Sequence, residues 1–265
     1  MTTFFESGTV TDHINVEISF QIIGLFSEGL YSSPSKAIEE LVSNAFDADA
    51  TCVHTVMSPD RAASDASIAI LDNGTGMDAT GLKAHWIVGD SLKASNRTTA
   101  RGRRTIGKFG IGKLAAYVLG TRLTHITKAD GKFFSTTMDF KAIPTPPPAS
   151  ERTDESEGTA TPPVQLPLRE LTEEEAHGAV RPWLSDDTGR ENLTLFGDEA
   201  EDSWTVAIIT ELKPMAVELS AGRLRWVLST AMPLRDDFSQ YLNGNEVVAS
   251  KASVKQVGTW VLGKE

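Results

Sequence analysis

The sequence predicts an α/β (α+β) two-layer sandwich. Three observations carry that prediction: helical periodicity across residues 14–47, β-branched or apolar runs at 50–57, 67–71 and 204–212, and two hairpin-turn dipeptides, Asp130-Gly131 and Asn243-Gly244.

From residue 14 to 31, Ile18, Ile22, Leu25, Phe26 and Leu30 recur at helical spacing, which predicts an amphipathic helix ending at Tyr31-Ser32-Ser33. Ser33 before Pro34 starts a second helix, expected over 34–47, because serine caps free amides and proline is tolerated in a first turn. Residues 50–57 and 67–71 read as strands, and the second delivers Asp72-Asn73-Gly74-Thr75-Gly76 to its end. A glycine- and cation-rich segment follows over 89–112, then a short apolar helix at 114–119. Residues 122–127 and 132–140 are expected to pair as a hairpin about Asp130-Gly131.

The character of the chain changes at Pro144. Residues 144–148 are proline-rich and 151–157 acidic, with little to bury, so 144–167 reads as a mobile insertion or long loop. Between Ser150 and Ser203 stand fifteen acidic and four basic residues, an excess equal to the −11 of the whole chain, so the remaining body is near neutral. A strand at 204–212, a helix around 218–231 and a hairpin over 240–248 follow. The organisation expected is therefore a domain over 1–213, interrupted by a proline-rich acidic insertion at about 144–203. After it come a closing helix and hairpin over 214–265, or the start of a following domain.

Composition removes several function classes. The 25 basic and 36 acidic residues argue against a general nucleic-acid surface, so any DNA contact has to be local. One cysteine, Cys52, makes neither an internal disulfide nor a cysteine zinc site, and five scattered histidines lack metal-ligand spacing. Neither a basic-then-apolar leader nor an apolar run of about 18 residues is present. The expectation is a cytoplasmic protein with no membrane contact.

Three segments carry chemistry. On the helix at 34–47, Glu40 and Asn44 lie one turn apart and Asp47 follows, while Ile38, Leu41, Val42, Ala45 and Phe46 supply a packing surface. Taken alone, that polar face reads equally well as solvated. The second segment, Asp72-Asn73-Gly74-Thr75-Gly76-Met77, places a carboxylate at the end of an apolar strand, where it accepts from an exocyclic amine. Its glycines permit a tight turn, and Met77 offers a polarizable contact to a ring. Alone it is also a common turn composition. In the third, Gly107-Lys108-Phe109-Gly110-Ile111-Gly112-Lys113 leads into a helix, and successive amides at a helix start attract phosphate oxygens. It matches neither the G-x-x-x-x-G-K-[ST] loop nor the dinucleotide fingerprint.

In this order and spacing the three segments resemble the gyrase, heat-shock-ninety, histidine-kinase and MutL (GHKL) ATPase superfamily. Residues 40–48 are similar to its N-box, 72–77 to its adenine box and 107–113 to the end of its ATP lid. Trp204-Thr205-Val206-Ala207-Ile208 resembles the strand whose threonine closes the nucleotide site, although the family usually has glycine where Trp204 stands. The resemblance covers roughly 14–213 and is nearest to generic bacterial and MORC-like ATPases.

It implies the Bergerat fold, a mixed or antiparallel sheet with helices on one face, and ATP and Mg2+ as cofactors. Glu40 is implied as the catalytic base, Asn44 as the metal and ATP ligand, and Asp72 as the adenine anchor. Asp47, Gly74, Gly76, Met77, Lys93, Gly107, Lys108, Phe109, Gly110, Ile111, Gly112, Lys113 and Thr205 are implied as further ATP-binding residues. Of the cations Lys93, Arg97, Arg101, Arg103, Arg104, Lys108 and Lys113, one or two are expected at phosphates and the others on a solvated or partner-facing surface.

The leading expectation is a slow ATPase whose lid closes on ATP and promotes a homodimer, driving an effector domain or protein partner. Competing with it are a nucleotide-gated binding module with little hydrolysis and a DNA-acting MORC- or MutL-like subunit supported only by the lid cations.

Overall fold

The computed structural model describes residues 8–16, 33–86, 98–106, 112–142, 164–231, 235–248 and 250. Its frame is one nine-stranded sheet. In chain order the strands are β1 (Thr9–Val16), β2 (Cys52–Met57), β3 (Ser67–Asp72), β4 (Gly120–Ala129), β5 (Lys132–Asp139), β6 (Val164–Leu171), β9 (Trp204–Leu212), β10 (Ser239–Leu242) and β11 (Asn245–Glu246). The spatial order is β1-β6-β5-β4-β9-β3-β2-β10-β11, while the short strands β7 (Gly189–Arg190) and β8 (Leu193–Thr194) form a separate ribbon. Every neighbouring pair is antiparallel except β2 with β10, so the sheet is mixed, as expected.

Most of the expected elements are present. Helix α1 (Pro34–Asp47) starts at proline after an extended Ser33 and buries Ala37, Ile38, Leu41, Val42, Ala45 and Phe46. Asp130 and Gly131, at φ 51° and 72°, turn the β4–β5 hairpin, and Asn243 and Gly244, at 49° and 77°, turn β10 into β11. Two expectations need correction. Residues 14–16 end β1 rather than beginning a helix, and 17–32 lie outside the described residues. The expected loop over 144–167 ends earlier: 143–163 lie outside the described residues, but Val164 to Pro167 pair with β1 as part of β6. Burial of the alternating Leu166 and Leu168 in the helix-side core outweighs the proline at 167.

Alternation sorts the central strands to two cores. Val53, Ile68, Ile70, Leu123, Ala207 and Ile209 face the layer formed by α1, α2 (Ala79–Trp86), α3 (Ala116–Leu119), α5 (Pro214–Val217) and α6 (Ala221–Ala231). Cys52, Ala69, Leu71, Ile126, Val206 and Ile208 face the other way. That second face is covered by α4 (Glu173–Val180), Trp183, the β7–β8 ribbon, Phe196 and Trp204, drawn mostly from the acidic stretch. Thr172 and Glu175 close a reciprocal capping box at the start of α4, and the Trp183 indole donates to the Ser67 hydroxyl at 3.0 Å.

The basic segment at 98–106 is pinned to the end of α1. Arg103, expected at a phosphate or on the surface, is fully buried. Its guanidinium lies over Phe46 at 4.8 Å and Phe238 at 5.8 Å and donates to the carbonyls of Ala50 and Asp237, with the Asp237 carboxylate 3.1 Å away. A planar fork with five donors and a stacking face suits this slot as no lysine would. Replacing Arg103 by alanine should cost about 3 kcal/mol, since carbonyls lose their donors and two rings lose their packing. Urea unfolding would show the drop, and Arg103→Lys is expected to recover little of it.

Candidate functional site

Adjacent strands place a polar row at one end of the helix-facing side of the sheet. Asp72 on β3 pairs with Thr205 on β9, and Thr205 pairs with Thr127 on β4. Val53 and Phe134 flank the row on β2 and β5. In a face otherwise mostly apolar, these three polar positions lie side by side on adjacent strands.

Asp72 is buried, and its Oδ1 accepts the Gly74 amide at 2.8 Å. Burial pushes its carboxyl up to about 7, against the smaller downward pull of that amide. Thr127 is the joint between the strand row and the turn after β3. Its hydroxyl accepts the Met77 amide at 2.9 Å, donates to the Trp204 carbonyl at 2.9 Å and lies 3.3 Å from the Thr205 hydroxyl.

The turn itself is held from three further sides. Asn73 accepts the amides of Thr51 and Cys52 and donates to Glu201, while Thr75 donates its amide to the Ala48 carbonyl at 2.8 Å. Ser203 donates to the Gly74 carbonyl at 2.8 Å. The two glycines are required by protein rather than by ligand. A methyl at Gly74 would stand 2.8 Å from the Ala48 carbonyl, and one at Gly76, where φ is +64°, would collide with that of Lys128.

Because Ala48 ends α1, the Thr75–Ala48 bond sets the turn beside the helix face that carries Glu40, Asn44 and Asp47. All three are half-exposed among buried neighbours. The 3₁₀ turn Gly112–Ala115, which starts with two residues of the expected phosphate loop, packs against the same helix. Asp47 accepts the Ile106 amide at 2.7 Å, and Asp49 accepts from the Thr99 hydroxyl and the Arg101 amide. Asp47 thus ties the segment at 98–106, which leads toward the expected phosphate loop, to α1. Lys93, Gly107, Lys108, Phe109, Gly110 and Ile111 lie outside the described residues.

The structure therefore brings Asp72, Gly74, Gly76, Met77 and Thr205 together around one turn, with Glu40 and Asn44 on the adjoining helix. Thr127, Asn73 and Ser203 were not expected to contribute. The signal for Thr127 was present in Leu123-Thr124-His125-Ile126-Thr127, where the inward positions change from leucine to polar toward the strand's end. Among the described residues no group of three or more His, Cys, Asp or Glu side chains is disposed to hold a metal, and no helix is long and apolar enough to cross a membrane.

The profile of the histidine kinase-, DNA gyrase B- and HSP90-like ATPases matches residues 31–177, from just before α1 into α4. The chain belongs to this family. ATP binding and hydrolysis are the family's activity in general terms, and its fold is the mixed sandwich described above. This ATPase domain is 36% identical over 104 residues to a putative type II restriction enzyme, HgiDII, of Herpetosiphon aurantiacus, a match covering 38% of this chain and 16% of that protein. It is 29% identical over 145 residues to the chaperone protein HtpG of Vesicomyosocius okutanii, covering 46% and 23%. With HtpG of Methylibium petroleiphilum it shares 30% over 135 residues, covering 42% and 21%. The chain thus spans less than a quarter of the length of each of these relatives.

The raised carboxyl has a measurable consequence. A folded-state value near 7 against an ordinary 3.8 means that the folded protein loses stability as pH rises from about 4 to 7, because unfolding lets Asp72 ionise in water. Asp72→Asn, which keeps an acceptor for Gly74, should therefore raise the melting temperature of the ligand-free protein most above pH 7. The advantage, on the order of a few kcal/mol, should shrink toward pH 4. Calorimetry at pH 4, 6 and 8 checks this, and a pH-independent difference would refute it.

Proposed function

We propose that this domain binds ATP with Mg2+, hydrolyses it slowly, and uses closure of the segment between α2 and α3 over the nucleotide to drive dimerisation of a larger protein. The observation that carries the proposal is the row of buried Asp72, half-buried Thr205 and buried Thr127 next to the half-exposed Glu40 and Asn44. The row is an acceptor-rich recess for a 6-aminopurine, and the adjoining helix face holds one carboxylate and one amide for the phosphate end.

Asp72 accepts the exocyclic amine, Thr205 lines the same recess, and the Gly74–Gly76 turn with Met77 forms its wall. Glu40 orients and deprotonates the attacking water, the task a single positioned carboxylate performs in phosphoryl transfer. Asn44 is a neutral amide with a carbonyl oxygen suited to Mg2+, which when bound supplies charge neutralisation to the phosphates. Asp47 keeps the lid segment in register with these groups through Ile106. Lys93, Gly107, Lys108, Phe109, Gly110, Ile111, Gly112 and Lys113 cradle the phosphates through amides and one or two ammonium groups. The domain is assigned to 1–213, with 214–265 as its closing elements or the start of a following domain, and the protein acts in the cytoplasm.

A second reading has specific support. The identity to a putative type II restriction enzyme favours service in a DNA-acting protein, with exposed Arg101 and Arg104 as local cations. Salt-dependent binding of duplex DNA by the domain would support that version, and its absence would leave the DNA-independent one.

Glu40→Ala is expected to slow phosphate release by about a hundredfold or more with ATP affinity held within a few-fold. Asp72→Ala should abolish ATP binding in calorimetry. Equal, background-level hydrolysis by wild type and Glu40→Ala would replace the ATPase with a nucleotide-gated binding module. Mass measurement with a non-hydrolysable ATP analogue should show a dimer, and a persistent monomer would remove the dimerisation step.

A further inference from the structure

We propose that Thr127, which need not touch the nucleotide, is a positioning residue that sets the base specificity of the site by fixing the direction of the Thr205 hydroxyl. The inference rests on the assignment of the Asp72–Thr205 recess to the base. A threonine hydroxyl has one proton to give and two lone pairs to accept with. The Thr127 hydroxyl gives its proton to the Trp204 carbonyl at 2.9 Å and takes the Met77 amide proton at 2.9 Å. One lone pair is left, so in the 3.3 Å contact with Thr205 the proton must come from Thr205.

Thr127 is fully buried, so water does not substitute for any of these partners. The proton of Thr205 is thereby turned away from Asp72, its neighbour on the other side, and the Thr205 lone pairs remain for the recess. Beside it stands the Asp72 carboxylate, which accepts from Gly74. With Asp72 ionised, the state that a bound amine favours, the recess offers acceptors and receives no proton from Thr205. An amine at the purine 6-position satisfies it, whereas a 6-oxo group meets lone pairs with lone pairs, an arrangement that costs both partners their hydrogen bonds.

Removal of the Thr127 hydroxyl frees the Thr205 proton to point into the recess and serve a 6-oxo base. The test compares ATP with ITP by calorimetry and by steady-state hydrolysis in wild type, Thr127→Val, Thr127→Ser and Thr205→Val. Thr127→Val should lower the ATP-over-ITP ratio of affinities about tenfold, raising KM for ATP while kcat at saturation stays within a few-fold. Thr127→Ser, which keeps the hydroxyl, should restore the ratio.

Weakening of both nucleotides by the same factor in Thr127→Val would overturn the proposal and leave Thr127 a purely structural residue. If Thr127→Val does not fold, Thr205→Val decides: it leaves the Met77 and Trp204 bonds of Thr127 intact and should lower the ratio, and an unchanged ratio would overturn the proposal. Wild type that binds ATP and ITP equally would instead refute the assignment of the recess to the base. Thr127 would then lose its role with it, a result distinct from a failure confined to the variants.

Discussion

Strand β3 is buried on both faces along its whole length, and the rest of the domain is arranged around that constraint. A two-layer sandwich covers one side of a sheet. Here Ile68 and Ile70 pack under the helices, but Ala69 and Leu71 need cover as well, and α4 with the β7–β8 ribbon provides it. The double cover also desolvates the residue at which β3 ends. Asp72 sits where no water competes for its carboxyl, which raises its proton affinity and makes any donor that reaches it valuable. The destabilising carboxylate and the candidate site are one feature, an instance of local strain kept where function demands it.

Around Asp72, separate parts of the chain are connected at backbone level. The end of α1 accepts from Thr75, holds Ile106 through Asp47, and holds Thr99 and Arg101 through Asp49. Arg103 continues the chain of contacts to Asp237 and Phe238, just before β10. The helix that presents Glu40 and Asn44 is thus fixed to the turn, to the segment at 98–106 and to the last strands of the sheet. The segment at 98–106 therefore has a packed, hydrogen-bonded connection to the elements nearest the end of the described chain.

Much of this was legible in the sequence because local and tertiary preferences agree. Ser33-Pro34 starts α1 where capping and proline geometry say it should, and Asp130-Gly131 and Asn243-Gly244 turn hairpins with both residues at positive φ. The position of Asp72 was legible because an apolar run that meets a turn composition fixes where a strand ends. What was not legible depended on contacts distant in sequence. Arg103 reads as one of a run of surface cations, and only Phe46, 57 residues before it, and Phe238 far beyond make it a core residue. Ile14 and its neighbours show helical spacing, yet pairing with β6, more than 140 residues away, claims 14–16 for a strand. The acidic stretch hid its structure under its charge. Its apolar residues Leu166, Leu168, Leu171, Ala176, Ala179, Val180, Trp183, Leu193, Leu195 and Phe196 are all buried, with the acids around them facing water.

That charge is also unevenly placed in the fold. The chain's entire formal excess of −11 lies between Ser150 and Ser203; within that span α4, Trp183, the β7–β8 ribbon and Phe196 cover the face of the sheet opposite α1, while Glu201 reaches the turn at Asn73. The exposed cations Arg101 and Arg104 stand by contrast beside the end of α1, where Asp49 accepts the Arg101 amide. The net charge, which argued against a general nucleic-acid surface, is thus concentrated in one span and not spread evenly over the chain.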